Sequence, residues 1–349
     1  MNIKSLLLGS AAALAAVSGA QAADAIIAAE PEPMEYVRVC DAFGTGYFYI
    51  PGTETCLKID GYVRFQVDFD DRDASYAGDN WDAWTRARVN FTSKSDTELG
   101  ELTGYIGMQI NATDSARTVD PGDDLLVTGT NGFVLDEVYL QLGGFKAGTY
   151  LNWWDKGING ETDALGSNRL TSIAYIYTGD AFTAGIQLDE ISRNTATGEY
   201  SVGQHLGLEG IVTASLGAAA FDLLGSYDFD AENGAVRAIV SAGVGPGTLQ
   251  LAGIWSSGQN IYYDTAEWTI AASYAFKATE KFTLTPGVQY FNGIGLVGDD
   301  FTDNDGWRAG LTVDYAITSG MSMKVSAQYN DRDGADDYVD GFVRLQRSF

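Results

Sequence analysis

From Leu57 to Asp70 the chain alternates without an error. Leu57, Ile59, Gly61, Val63, Phe65, Val67 and Phe69 occupy the odd positions, and Lys58, Asp60, Tyr62, Arg64, Gln66, Asp68 and Asp70 the even ones. Successive side chains of an extended strand point to opposite faces, so this segment has one apolar face and one polar or charged face. The same period of two recurs from Trp307 to Tyr315 and from Met321 to Tyr329. Each unit is about as long as a tilted strand needs to cross the hydrocarbon of a bilayer.

Carried along the chain, this template gives sixteen strands, near 57–70, 82–93, 101–111, 133–142, 145–152, 171–178, 181–188, 206–215, 219–228, 235–242, 247–255, 267–275, 281–291, 305–315, 321–329 and 338–349. Between 171 and 228, Gly and Ala blur the alternation. Long polar connections (71–81, 112–132, 153–170, 189–205, 256–266, 292–304, 330–337) alternate with short ones such as Gly143-Gly144, Gly179-Asp180 and Gly243 to Pro246. A soluble sandwich has no reason to segregate loop length this way. A transmembrane antiparallel β-barrel does, with short periplasmic turns and longer external loops. Tyr274, Tyr290, Tyr315, Tyr329, Trp255, Trp268 and Trp307 fall on the apolar face near strand ends, where amphipathic rings suit the headgroup level. The fold class expected is therefore all-β, a sixteen-strand transmembrane antiparallel barrel spanning 57–349.

The first twenty-two residues read as a cleaved signal peptide. Lys4 supplies the positive start, Leu6 to Val17 the apolar core, and Ala20-Gln21-Ala22 the small-x-small cleavage signal. Residues 23–56 then form an N-terminal periplasmic segment. Beyond the signal no run of about 18 apolar residues occurs, the length a membrane helix requires. The 349 residues carry 47 acidic against 21 basic side chains, a net charge of -26. That balance excludes a nucleic-acid binder working by phosphate neutralisation, which needs a clustered basic surplus. His205 is the only histidine. It leaves triads and multi-histidine metal sites without partners, and it reads best as a polar residue at a loop edge.

Several segments carry a family likeness: Glu35 to Asp41 (EYVRVCD), Gly46 to Leu57 (GYFYIPGTETCL), Asn152-Trp153-Trp154-Asp155 and the ending Arg347-Ser348-Phe349. In these the chain resembles the alphaproteobacterial general porins of the Rhizobiales and Brucella type. The resemblance implies a sixteen-strand barrel, usually a homotrimer, that passes small hydrophilic solutes and ions across the outer membrane. It also implies that the third external loop folds into the lumen, and that the terminal aromatic Phe349 is similar to the signal read by the outer-membrane assembly machinery.

Cys40 and Cys56 are the only cysteines of an exported chain. A structural disulfide beside the first strand is favoured, stabilising its segment by roughly 3 kcal/mol in the chain-entropy model. Metal binding is the weaker alternative, because two thiols without histidines make a poor site. No metal and no cofactor are expected.

On the polar face, Arg64 lies in the first strand, Arg86 and Arg88 in the second, Arg344 in the last, Lys324 beside it and Arg308 beyond. Because a barrel pairs its last strand with its first, these six form one arc of wall. If the third loop folds inward, Asp155, Glu161 and Asp163 would face that arc and set up a transverse field. The bland alternatives are solvated cations in a wet lumen and an acidic loop that stays outside. Acidic runs such as Asp68-Asp70-Asp71-Asp73, Asp299-Asp300-Asp303-Asp305 and Asp331-Asp333-Asp336-Asp337 lie at outer strand ends or in loops. They suggest a charged rim, with divalent bridging to lipopolysaccharide phosphates conceivable and a lean toward cations that the basic wall opposes. The function expected is an outer-membrane general porin. The alternatives are a substrate-selective channel, a barrel enzyme and a structural or adhesive barrel.

Overall fold

The computed structural model describes residues 38–72, 80–113, 116–119, 125–128, 133–191 and 205–349. The expected signal peptide, most of the segment before Cys40, Asp73 and parts of the first, second and fourth long loops lie outside these described residues.

Sixteen strands make the barrel: β1 (Cys56–Asp70), β2 (Trp81–Thr97), β3 (Gly100–Thr113), β4 (Phe133–Leu142), β5 (Phe145–Leu151), β6 (Arg169–Thr178), β7 (Phe182–Ile191), β8 (His205–Leu216), β9 (Ala219–Asp228), β10 (Asn233–Val244), β11 (Gly247–Ser256), β12 (Ala266–Lys277), β13 (Phe282–Ile294), β14 (Asp305–Thr318), β15 (Met321–Arg332) and β16 (Tyr338–Ser348). Each pairs antiparallel with the next, and β16 returns to β1 with Tyr62 opposite Ser348 and Asp70 opposite Asp340. Phe349 extends that seam, exchanging backbone hydrogen bonds with Gly61 at 3.0 and 3.1 Å. Closure leaves no strand edge to attract another chain, which is the condition for spanning hydrocarbon with strands.

The period of two becomes two surfaces. Phe65 is 47 % exposed on the outside of the barrel and its neighbour Gln66 is 5 % exposed on the inside. Ile59, Val63, Leu140, Leu188, Leu251, Ile270 and Leu311 are likewise exposed outward. Aromatic pairs mark both ends of the outer band. Trp268 meets Tyr290 and Trp307 meets Tyr329 toward the long loops, while Phe282 stacks on Tyr315 near the short turns. The Tyr290 and Tyr329 hydroxyls donate to Asp305 and Asp337 at 2.7 Å, so each ring keeps a polar tip at the rim. The short turn at Gly143-Gly144 relies on a left-handed Gly143 (φ 54°), a conformation costly for other residues. The external connection after β9 is also short, only 229–232.

Before the barrel, a short strand Tyr47–Tyr49 pairs with the start of β1, with Tyr47 opposite Lys58. Cys40 and Cys56 are joined by a disulfide, with Cα atoms 6.0 Å apart. Both are buried with Tyr47, against Phe43 and Tyr49.

The apolar core of the chain sits inside the lumen. Trp154, Ile158 and Leu165 of the third loop and Tyr262 and Tyr263 of the sixth bury themselves against Leu224, Ile239 and Ile254. Those three wall residues are apolar on the inward face, where β9, β10 and β11 alternate them with Asp222, Arg237 and Ser256.

Candidate constriction and its basic wall

The third loop is led inward by its first turn. Asn152 accepts a hydrogen bond from the Trp154 amide and starts a single 3-10 turn, Trp153–Asp155. The buried Arg237 then donates through Nη2 to the Trp153 carbonyl at 2.7 Å and through Nη1 to the Trp154 carbonyl at 2.8 Å. Lys156 donates to Asp222 at 2.9 Å. From this root the loop lies across the inner wall, held by polar residues of several strands. The Asn159 amide donates to Gln250 of β11 at 2.6 Å, the Ala164 amide to Gln289 of β13 at 2.7 Å, and the Glu161 amide to Thr312 of β14 at 3.0 Å. Gly160, at φ 91°, makes the bend before Glu161; a Cβ there would stand 3.0 Å from Thr285.

The tip ends on the cationic strands. Glu161 accepts from Lys324 of β15 at 2.6 Å and lies 4.0 Å from Arg344 of β16. Asp163 turns back into the loop, accepting from the Ile158 amide at 3.3 Å. Burial pushes its carboxyl up to about 6; the Ile158 hydrogen bond and Arg308 oppose that rise, and nearby Glu161 adds to it. Glu161 and Asp163 share with Asp68, Arg72, Arg308 and Asp340 a polar cavity of about 420 Å³ toward the long-loop end.

The six cations named from sequence occupy β14, β15, β16, β1 and β2, which are consecutive in the wall. Their partners divide them. Arg88 is held by Asp136 and by Glu137 at 2.8 Å, with Asn90 at 2.9 Å. Arg308 pairs with Asp340 at 2.9 Å, and Lys324 with Glu161. Arg64 donates through Nε and Nη2 to the Gln346 carbonyl oxygen at 3.0 and 2.8 Å. Arg344 donates through Nε to Gln66, and Arg86 through Nε to Asn111 at 2.6 Å.

Asp155 departs from its expected place opposite the arginines. The 3-10 turn capped by Asn152 leaves it at the loop root, exposed and accepting from Ser167 Oγ at 2.6 Å, next to the contacts with β9 and β10. The loop anchors Arg237, Gln250, Gln289 and Thr312 were not singled out from sequence. Their signal is indirect: Leu224, Ile239 and Ile254 place apolar groups on a face that should be wet. His205 opens β8, with Nδ1 2.9 Å from Asp230.

A closed barrel with an apolar outside, a polar lumen and a loop laid across that lumen is the architecture of an outer-membrane channel. The sequence profile described as "Porin subfamily" matches residues 24–344, and the chain belongs to that family. It is 53% identical, over all of its length and 99% of the relative's, to the "Putative outer membrane protein y4fJ" of Sinorhizobium fredii. Identity to "Outer membrane protein IIIA" of Rhizobium leguminosarum bv. viciae is 45%, covering 98% and 93% of the two chains. To "Porin Omp2a" of Brucella suis it is 36% over the whole of both. Among solved structures, the outer membrane channel DcaP of Acinetobacter baumannii superposes with a TM-score of 0.61 at 14% identity, covering 86% of this chain and 99% of that one. A mutant of Rh. blastica porin gives 0.54 at 14% identity, covering 84% and 100%. At such identities the likeness is one of fold. The protein is an outer-membrane general porin.

Proposed function

We propose that the third loop forms the constriction of this porin, and that Glu161 opposite Arg64 and Arg344 provides the field across it. The observation that carries the reading is the Lys324–Glu161–Arg344 grouping, which ties the loop tip to the wall at the seam of the barrel. Opposed charges in a narrow, water-poor passage orient dipolar solutes and penalise apolar ones that must shed their hydration. Arg88 and Arg308, each spent on a carboxylate, contribute to wall geometry more than to the field. Asp163 adds a charge that depends on pH at the mouth of the passage, and Asp155 stands outside it.

The same reading takes the mature chain to begin at Ala23 after signal cleavage, with 23–56 on the periplasmic side. Assembly as a homotrimer, recognition of Phe349 by the outer-membrane assembly machinery, and bridging of the acidic rim to lipopolysaccharide through divalent cations belong to it as well. It calls for no cofactor and no catalytic group. The test is conductance and ion selectivity of the purified protein in a planar bilayer. Ohmic current with a selectivity that moves on replacing Glu161 supports the constriction; selectivity indifferent to Glu161 places it elsewhere.

A further inference from the structure

Three of the wall arginines are held unlike the rest. Arg88, Arg308 and Arg237 each meet a carboxylate, as Lys324 does. Arg64, Arg86 and Arg344 are instead fixed through Nε by a neutral carboxamide on the neighbouring strand: Gln346, Asn111 and Gln66, and of the three only Arg344 also has a carboxylate near, Glu161 at 4.0 Å. Nη1 of Arg64, both Nη atoms of Arg86 and Nη2 of Arg344 have no hydrogen-bond partner among the described residues. A carboxamide sets the direction of a guanidinium without neutralising it, so the charges of Arg64 and Arg86 remain available in the lumen.

Each of the three also has an inward aromatic two positions earlier on its own strand. The guanidinium carbon lies 4.6 Å from the Tyr62 ring centre for Arg64, 4.9 Å from Trp84 for Arg86 and 4.2 Å from Phe342 for Arg344. The aromatic-x-Arg pattern thus repeats on β1, β2 and β16, which are adjacent. A ring beneath a guanidinium holds its plane and offers stacking surface beside the charge. Arg64 and Arg86 face each other directly across the β1–β2 ladder, where like charges destabilise the pair. Two cations held against mutual repulsion, directed but not neutralised, and each laid on a ring, suit an anion supplied from outside.

We propose that Arg64, Arg86 and Arg344, with Trp84 and Phe342 beside them, form a binding site in the lumen for small carboxylates that carry a flat ring. The carboxylate bridges Arg64 and Arg86, and the ring lies against the arginine–aromatic layer. This inference rests on the channel reading and adds a preferred solute class to it.

The experiment is block of potassium chloride current in a planar bilayer by benzoate, cyclohexanecarboxylate, acetate and benzyl alcohol at neutral pH. Benzoate is expected to half-block at a concentration about tenfold below acetate, with cyclohexanecarboxylate between them and benzyl alcohol inert. Arg86→Gln should raise the benzoate half-block concentration by about fivefold or more, and Trp84→Leu should bring the benzoate-to-acetate ratio toward one. Arg64→Gln serves as a second charge variant if Arg86→Gln does not insert. Equal potency of benzoate and acetate on the unaltered channel, or benzoate block indifferent to both arginine variants, overturns the proposal while leaving the porin intact. No potassium chloride current at all removes the channel reading and this inference together.

Discussion

Arg64 and Arg86 are direct cross-strand partners on the inner face of β1 and β2. Such a pair of like charges costs roughly 0.2–1 kcal/mol relative to neutral neighbours. Replacing Arg86 with Gln removes one charge and relieves the repulsion. The expected outcome is a reversal potential shifted toward cations in a salt gradient, with a heat-unfolding midpoint no lower than that of the parent. A lower midpoint with unaltered selectivity would assign Arg86 to the scaffold.

The barrel was readable because lipid and water demand opposite chemistry on alternate residues, and residues 57–70 of β1, 307–315 of β14 and 321–329 of β15 obey that demand without exception. The closure of β16 on β1 then follows, which is why six cations distant in sequence were recognisable as neighbours. Reading weakened where the lumen is dry. Leu224, Ile239 and Ile254 face inward and are apolar because the third and sixth loops pack on them, so the alternation fades at the loop's seat. Asp155 was misplaced for a local reason. Charge and loop membership put it beside Glu161, but the turn capped by Asn152 directs it to Ser167. Gln250, Gln289 and Thr312 carry no mark in the sequence that separates a loop anchor from an ordinary polar lining residue.

Glu161 and Lys324 are both partly exposed to the lumen, so their direct pairing is worth only about 1 kcal/mol or less. The larger effect of Glu161 is electrostatic. Glu161→Gln should leave folding nearly unchanged and move selectivity toward anions, because the arginines lose their counter-charge at the proposed constriction. Reversal potentials for the two proteins, compared at low and high salt, check this, since screening should shrink the difference at 1 M salt, where the Debye length is about 3 Å.

Arg237 fixes the loop root with two charge-assisted hydrogen bonds to carbonyls and also lies 3.7 Å from Asp222. Bonds of this kind contribute about 1.5–3 kcal/mol each, and among the described residues no other hydrogen bond reaches those carbonyls. Arg237→Met should free the root while Lys156 still satisfies Asp222. Single-channel records are expected to show larger mean conductance and more frequent flicker, with the barrel still folded by its heat-dependent gel mobility. Quiet channels of parental size would mean that the apolar packing of Trp154 and Leu165 suffices.

The Cys40–Cys56 bond closes a segment that touches the barrel through the start of β1. Intact masses before and after reduction should differ by two hydrogens. Cys40→Ser with Cys56→Ser should raise protease sensitivity of the segment around Phe43 and Tyr47 with conductance unaltered, because the loss of roughly 3 kcal/mol falls on the segment before the barrel and the very start of β1. A changed conductance would place this segment over the pore mouth.

Asp163 supplies the pH dependence. Burial raises its carboxyl to about 6, so the folded protein binds a proton there that the unfolded chain, near the ordinary carboxylate value, has released. Its contribution to stability is therefore fully present below about pH 4 and is lost as pH rises through about 6. Over the same interval the cavity beside Arg308 gains a negative charge, and cation preference should increase from pH 5 to pH 7. Asp163→Asn cannot make that transition. Its selectivity should be flat across the interval and close to the low-pH value of the parent, and its stability relative to the parent should improve as pH rises. Parallel reversal-potential titrations of the two proteins decide the matter: a transition that survives in Asp163→Asn belongs to another carboxylate.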